Sequence, residues 1–368
     1  MLLSILLASF ASAPHPSAEP RILLTTLDAP ADARQPQITI IESTGEFAVT
    51  FATASTVYCA TAGTLDDSFR APVKVGDGGV LALGMRRGPR IAATKDALVI
   101  TAIGGPEGRG KDGDVLAWRS TDRGRTWSAP VKLDDVPAAA REGLHDLAAL
   151  PSGVTYCAWT DMRSGEAELF GAYSADGGAT WQKNARIYRS PSKSICPCCP
   201  IATALDASGA IFVQWRNLLD GARDIHRIGS RDQGATFGGT RKLGSATWKL
   251  DVCPMDGGDI AANGVGEVAS VWRRESELYC TDAASPERRI ATGEQGAIAF
   301  GPRGVWIAWS EKRGGAIYLA APKSETPRKL CDAGSDVVLA GWKSGVAAAW
   351  EEQAGDKVTL RVVRIIDP

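Results

Sequence analysis

The chain has 368 residues, 44% of them hydrophobic and 23% charged, and its 41 Lys and Arg nearly balance 42 Asp and Glu for a formal net charge of −1. That length can bury a large core, as two ordinary domains or one large β domain. The even charge balance, with no Lys/Arg run, excludes a nucleic-acid-binding surface, while 40 Gly and 20 Pro forecast many turns.

The first residues, MLLSILLASFASAP, form a short apolar run ending in Ala11-Ser12-Ala13. This pattern predicts a signal peptide over 1–13 and an exported protein, periplasmic or extracellular. The run is too short to span a bilayer. In the following N-terminal segment, 14–36, RILLTTL reads as a strand available to close the last unit of whatever follows.

From residue 37 to 368 the chain reads as a single domain built of repeats. Seven apolar segments, ITIIES, RIAATK, LAALPS, IATALD, DIAANG, AIAFGP and VVLAGW, are each followed by a second strand. In five units that second strand carries a tryptophan at a matching point: Trp159, Trp215, Trp272, Trp309 and Trp350. Three boxes, STDRGRTW, SADGGATW and SRDQGATF, share the pattern Ser-x-Asp-x-Gly-x-Thr-Trp/Phe and recur between strand-like runs. Their Ser and Asp can bond the backbone of a hairpin turn and their Gly can take a positive φ, so Asp122, Asp176 and Asp232 are assigned structural roles. The fold predicted is all-β: a β-propeller of four-stranded blades, seven rather than six, whose radial repetition leaves only short protected edges.

In such blades the box turns share one face of the disk, and the turns from second to third strand and the entries to each blade share the other. That second face collects Arg109, His145, Asp146, Asp161, Asp256 and Asp259 as candidate ligand-binding residues. Arg163, Arg273 and Glu311 fall on the same face. Loops held on a rigid scaffold are the usual home of binding residues.

Two entries to that face are unusual, CPCCP and CPMDGGD, with Cys196, Cys198, Cys199 and Cys253. Export favours disulfides here, with Cys253 linking two blades through one of the other three. A thiolate site for Zn or Cu(I) is the alternative, although CPCC lacks the paired spacing of zinc ribbons. No other cofactor is indicated. Cys59, Cys157 and Cys280 read as buried strand thiols too far apart to pair.

The boxes resemble the Asp-boxes, or BNR repeats, of the sialidase and neuraminidase superfamily, and the resemblance extends over most of the chain. The segment PRIAATKDALVITAIGGPEGRGKDGDVLAWRSTDRGRTW is similar to the opening blade of a sialidase, except that Ala92 stands where the family has Pro. The resemblance implies catalytic roles for Arg90, Asp112 or Asp114, Arg216, and Arg274 or Arg273. It also implies a tyrosine nucleophile, for which no Tyr is well placed. The function expected is therefore binding of a glycan or acidic small molecule on the cysteine-bearing face, with glycoside hydrolysis possible. A noncatalytic protein-interaction scaffold and a metal-binding propeller are the alternatives. Nothing in the sequence sets an oligomeric state.

Overall fold

The computed structural model describes residues 21–63, 68–283, 285–324, 326–355 and 357–366. The signal peptide predicted over 1–13 lies outside them. Every element among the described residues is a β-strand, grouped into seven separate antiparallel sheets. Among the described residues no helix is long and apolar enough to cross a membrane.

The sheets are the seven predicted blades of a propeller. Their innermost strands are Arg34–Ile41, Arg90–Ala93, His145–Ala149, Ala202–Leu205, Asp259–Ala262, Glu294–Gly301 and Gly334–Trp342. Each pairs antiparallel with the strand that follows it. Blades 1 to 6 take all their strands in chain order, and blade 2 gains the short strand Val80–Leu81. Blade 7 is closed by both ends of the chain, because Arg21–Thr26 pairs with Lys357–Ile366 over its whole length, Arg21 opposite Ile366 and Thr26 opposite Arg361.

Burial follows the repeat. Trp159, Trp215, Trp272, Trp309 and Trp350 lie on second strands and are all buried, each filling space between neighbouring blades as the hydrophobic effect and close packing require. The three boxes form the turns between third and fourth strands of blades 2, 3 and 4. In the middle one the Ser174 hydroxyl donates to Asp176 at 2.8 Å and accepts from the Gly178 N–H at 2.9 Å, while Asp176 accepts from the Thr180 N–H at 2.9 Å and hydroxyl at 2.7 Å. Blades 2 and 4 repeat the arrangement around Asp122 and Asp232.

The two ends of the axial channel differ. Towards the box face it is lined mainly by small and apolar side chains, including Ile40, Ile91, Ala92, Leu147 and Ala340, around a cavity of about 500 Å³. Towards the other face it is closed by polar side chains from the blade entries.

Candidate functional site

The polar closure arises from a repeated local irregularity. In blades 1, 6 and 7 the innermost strand opens with a β-bulge, and Gln35, Gln295 and Asp336 at these bulges adopt φ values of 58, 56 and 56°. A bulge re-aims a side chain, and these three meet. Asp336 accepts from Gln35 Nε2 at 2.7 Å and from Gln295 Nε2 at 3.3 Å. The chain of contacts continues to Glu351, which accepts from the Gln35 N–H at 2.7 Å, and to Asp256, which accepts from the Gln295 N–H at 2.8 Å. Arg86 crosses from the entry to blade 2 and donates to the carbonyls of Gly296 at 3.0 Å and Val337 at 2.8 Å.

This floor absorbs several residues predicted to bind ligand. Asp146 pairs with Arg90 at 3.4 Å and accepts from the Thr203 N–H at 2.6 Å. Burial pushes its carboxyl up to about 6 against the opposing pull of Arg90. Asp259 accepts from the N–H groups of Ile260 at 2.9 Å and Ile298 at 3.0 Å, and burial raises its pKa too. His145 is buried with Nε2 3.1 Å from the Thr101 hydroxyl, and burial, then Arg90, holds it neutral with a pKa near 3. Asp161 is held bidentate by Arg163, with Nε–Oδ1 and Nη2–Oδ2 both 2.9 Å, and accepts from Trp159 Nε1 at 2.8 Å. Arg109 is exposed, on left-handed backbone with φ 54°.

The arginines that the resemblance assigns to a carboxylate clamp make the following contacts. Arg90 is buried and donates to the carbonyls of Gly88 and Pro89, both at 3.2 Å, and of Arg86. Buried Arg216 bonds the carbonyls of Asp256 at 2.7 Å, Arg223 at 2.5 Å and Arg273 at 2.9 Å. Arg274 pairs with Glu287 at 2.5 Å and stacks over the Tyr279 ring at 3.9 Å. Asp112 closes its own loop by accepting from the N–H groups of Glu107 at 3.0 Å and Gly108 at 2.6 Å. Arg90, Arg216 and Asp112 thus bond main-chain groups, while Arg274 bonds a carboxylate.

The cysteines do converge. Cys198 and Cys253 form a disulfide joining the entries of blades 4 and 5, with Cα atoms 6.6 Å apart. The thiols of Cys196 and Cys199 stand beside it: Cys196 Sγ lies 3.3 Å from both Cys199 Sγ and Cys253 Sγ, and Cys199 Sγ lies 3.5 Å from Cys253 Sγ. Arg223 donates from Nη1 to Cys196 Sγ at 3.1 Å and is steadied by Nε on the Leu250 carbonyl at 2.9 Å. The Cys196 thiol is brought down to about 6, first by its hydrogen bond with Cys199 and then, against burial, by Arg223 and Arg216. Burial first, then the neighbouring Cys196, pushes Cys199 the opposite way. Cys59, Cys157, Cys280 and Cys331 are buried thiols.

Two further arginines on this face escape sequence reasoning. Arg87, half-buried at the entry to blade 2, donates from Nε to the Glu142 carbonyl at 2.7 Å. Burial lowers its pKa, the Glu142 carboxylate opposes this, and Arg313 from the blade 6 turn adds to the lowering. No local motif marks them, and they belong to blades 2 and 6, far apart in sequence.

No protein-family profile matches the chain, and no curated protein matches it. Solved structures do. A Dyadobacter fermentans protein of unknown function is 14% identical with a TM-score of 0.57, over 95% of this chain and 99% of that one. The Penicillium chrysogenum α-L-arabinanase, complexed with arabinobiose, is 10% identical with a TM-score of 0.56, over 96% and 99%. The Trypanosoma rangeli sialidase, complexed with 2,3-difluorosialic acid, is 14% identical with a TM-score of 0.53, over 91% of this chain and 54% of that one. The likeness is one of fold: these neighbours and this chain share a β-propeller architecture.

Proposed function

We propose that the protein is an exported propeller that binds a carboxylate-bearing ligand, an acidic glycan or small acid, on its cysteine-bearing face between Arg87 and Arg313. The observation that carries this reading is the half-buried Arg87 guanidinium, which donates only from Nε and feels the charge of Arg313. Among the described residues, the Arg87 guanidinium has a hydrogen bond only from Nε, to a carbonyl, and Arg313 has no ion pair. A guanidinium with an unused planar fork favours a bidentate oxyanion, and among the described residues Arg87 has no ion pair with a carboxylate. Fold analogy places the chain among scaffolds used for glycoside hydrolysis, but function belongs to sites rather than folds. Because Arg90, Arg216, Asp112, Asp161, Asp256 and Asp259 are occupied by structural bonds, the reading assigns binding and not hydrolysis. The apolar run over 1–13 and the disulfide support export.

Calorimetric titration with sialic acid, glucuronic acid and neutral arabinobiose tests it. Binding of an acid and not of the neutral sugar is expected, weakened at least tenfold in Arg87→Ala and Arg313→Ala with melting unchanged. Equal binding of the neutral sugar, or full affinity in both variants, would overturn it. Turnover of a fluorogenic sialoside that is lost in Arg90→Ala without loss of stability would instead establish a hydrolase.

A further inference from the structure

The four clustered sulfurs do more than staple two blades, since one disulfide would achieve that and would leave Cys196 and Cys199 without purpose. We propose that, once the Cys198–Cys253 bond is reduced, Cys196, Cys198, Cys199 and Cys253 form an all-thiolate site for one thiophilic d10 cation, Zn(II) or Cu(I). This is independent of the acid-binding reading of Arg87 and Arg313.

The geometry is nearly prepared. All four Sγ atoms lie within 4.8 Å of one another, and three of them, from Cys196, Cys199 and Cys253, form an almost equilateral triangle with sides of 3.3, 3.3 and 3.5 Å. A metal–sulfur bond of about 2.3 Å in a tetrahedral site sets its sulfurs about 3.8 Å apart, so the triangle needs to open by only a few tenths of an ångström. Sulfur alone is the soft ligand set that suits Zn and Cu(I) and not Mg or Ca. Cys196 and Cys199 are buried, while Cys198 and Cys253 are partly exposed, which leaves the disulfide side open to an arriving ion.

The surroundings hold the ligands in place and offset their charge. Arg223 donates to Cys196 Sγ at 3.1 Å, and its own carbonyl is gripped by Arg216 at 2.5 Å. The Cys196 N–H is tied to the Arg216 carbonyl at 3.1 Å. Outer hydrogen bonds of this kind fix ligand orientation and tune a metal site. Pro197, Pro200 and Pro254 restrict φ between and beside the ligands, lowering the entropy lost when they close on an ion.

The disulfide and the ion compete for the same atoms. A dithiol reductant transfers two electrons and two protons to Cys198 and Cys253 and leaves as its own cyclic disulfide. Metal binding then displaces the thiol protons. Oxidised protein therefore lacks two of the four ligands, and bound metal in turn shields Cys198 and Cys253 from reoxidation.

The full chain, reduced with dithiothreitol and desalted without oxygen, is titrated with Zn(II) against a chromophoric competitor, with Cu(I) against bathocuproine disulfonate, and with Co(II) as a spectroscopic probe. One equivalent per reduced chain is expected, with a thiolate-to-metal charge-transfer band and the intense visible Co(II) bands of tetrahedral thiolate. Unreduced protein should bind at least a hundredfold more weakly. The Zn(II) and Cu(I) arms decide which ion is preferred. Cys196→Ser and Cys199→Ser should each weaken binding at least tenfold, while Cys157→Ser, a buried thiol of blade 3, should bind as the parent does. Should the cluster variants fail to fold, alkylation of the reduced parent serves instead, with metal protecting these four cysteines from iodoacetamide. Binding that is equal in reduced and oxidised protein, no binding in either, or alkylation unaffected by metal would overturn the proposal.

Discussion

Gly257 and Pro200 approach so closely that a Cβ on Gly257 would sit 1.6 Å from the Pro200 carbonyl oxygen. The contact presses the entry of blade 5 against that of blade 4 and so brings Cys253 to Cys196, Cys198 and Cys199. Gly257→Ala sets a methyl group against backbone, which cannot swing aside as a side chain can. A loss of about 1–3 kcal/mol or more is expected, together with faster alkylation of Cys196 and Cys199. A variant that melts with the parent and keeps its thiols equally protected would show that this contact does not position the sulfurs.

Arg90 and Asp146 give a second test, because a ligand clamp and a structural pair respond differently to truncation. Their side chains are 7% and 19% exposed and 3.4 Å apart. Removing one partner strands a buried charge, a loss of about 3–5 kcal/mol. Arg90→Ala is therefore expected to lower the melting temperature by many degrees, and Arg90→Met with Asp146→Leu to recover much of it. Unchanged melting in Arg90→Ala would return that guanidinium to the ligand site.

The sequence carried the fold in its periodicity. Seven first and second strands, a tryptophan in five of them and three turn boxes leave no other ring, and a strand at RILLTTL was needed because blade 7 otherwise lacks an outer edge. The convergence of CPCCP and CPMDGGD also followed from blade order alone. What stayed hidden is how cations are spent. Arg90 and Arg216 satisfy main-chain carbonyls, which have no signature in side-chain pattern, and Arg274 turns outward to Glu287. Arg223 reaches Cys196 from a loop whose path no motif fixes, and Arg87 and Arg313 lie in blades too far apart in sequence for a local pattern to link them. Gln35, Gln295 and Asp336 hold equivalent places in three blades, but bulges shift register without a consistent residue, so their repeat is legible in the backbone and not in the letters.

Asp134 predicts a pH dependence. Its Oδ1 accepts from the Val115 N–H at 2.7 Å and its buried Oδ2 has no hydrogen-bond partner. Burial raises its pKa from 3.8 to about 7, and Asp114 adds to the rise. The folded state thus holds this proton more tightly than the unfolded chain. The stabilisation is complete below about pH 4 and is lost as pH rises through about 7. Asp134→Asn retains an acceptor for Val115 and cannot ionise. It should flatten the fall in melting temperature between about pH 5 and pH 8 and melt higher than the parent at pH 8. Parallel curves for the two proteins would exclude Asp134 as the source.

The turn boxes predict the opposite dependence at acid pH and an unexpected order of importance. Asp122, Asp176 and Asp232 each have a pKa lowered from 3.8 to about 2; side-chain bonding from Thr126 or Thr236 leads for Asp122 and Asp232, and for Asp176 the bonds from Thr180 and Ser174 outweigh the opposing effect of burial. Their contribution is complete above about pH 4 and is lost as pH falls through about 2. These carboxylates are solvent-exposed and screened, so each contributes modestly. Ser174, by contrast, is buried, and its hydroxyl is the acceptor for the Gly178 N–H as well as a donor to Asp176. Ser174→Ala leaves that N–H buried and unpaired, a loss of about 1–3 kcal/mol, and should destabilise more than Asp176→Asn at pH 7. Asp176→Asn should reveal itself in acid, with a shallower loss of melting temperature between about pH 4 and pH 2. Melting curves of both variants across that range decide the matter: an Asp176→Asn protein less stable than Ser174→Ala at neutral pH, or one with the parent's full acid slope, would show that the aspartate and not the serine holds the turn, or that its carboxylate is not coupled to folding.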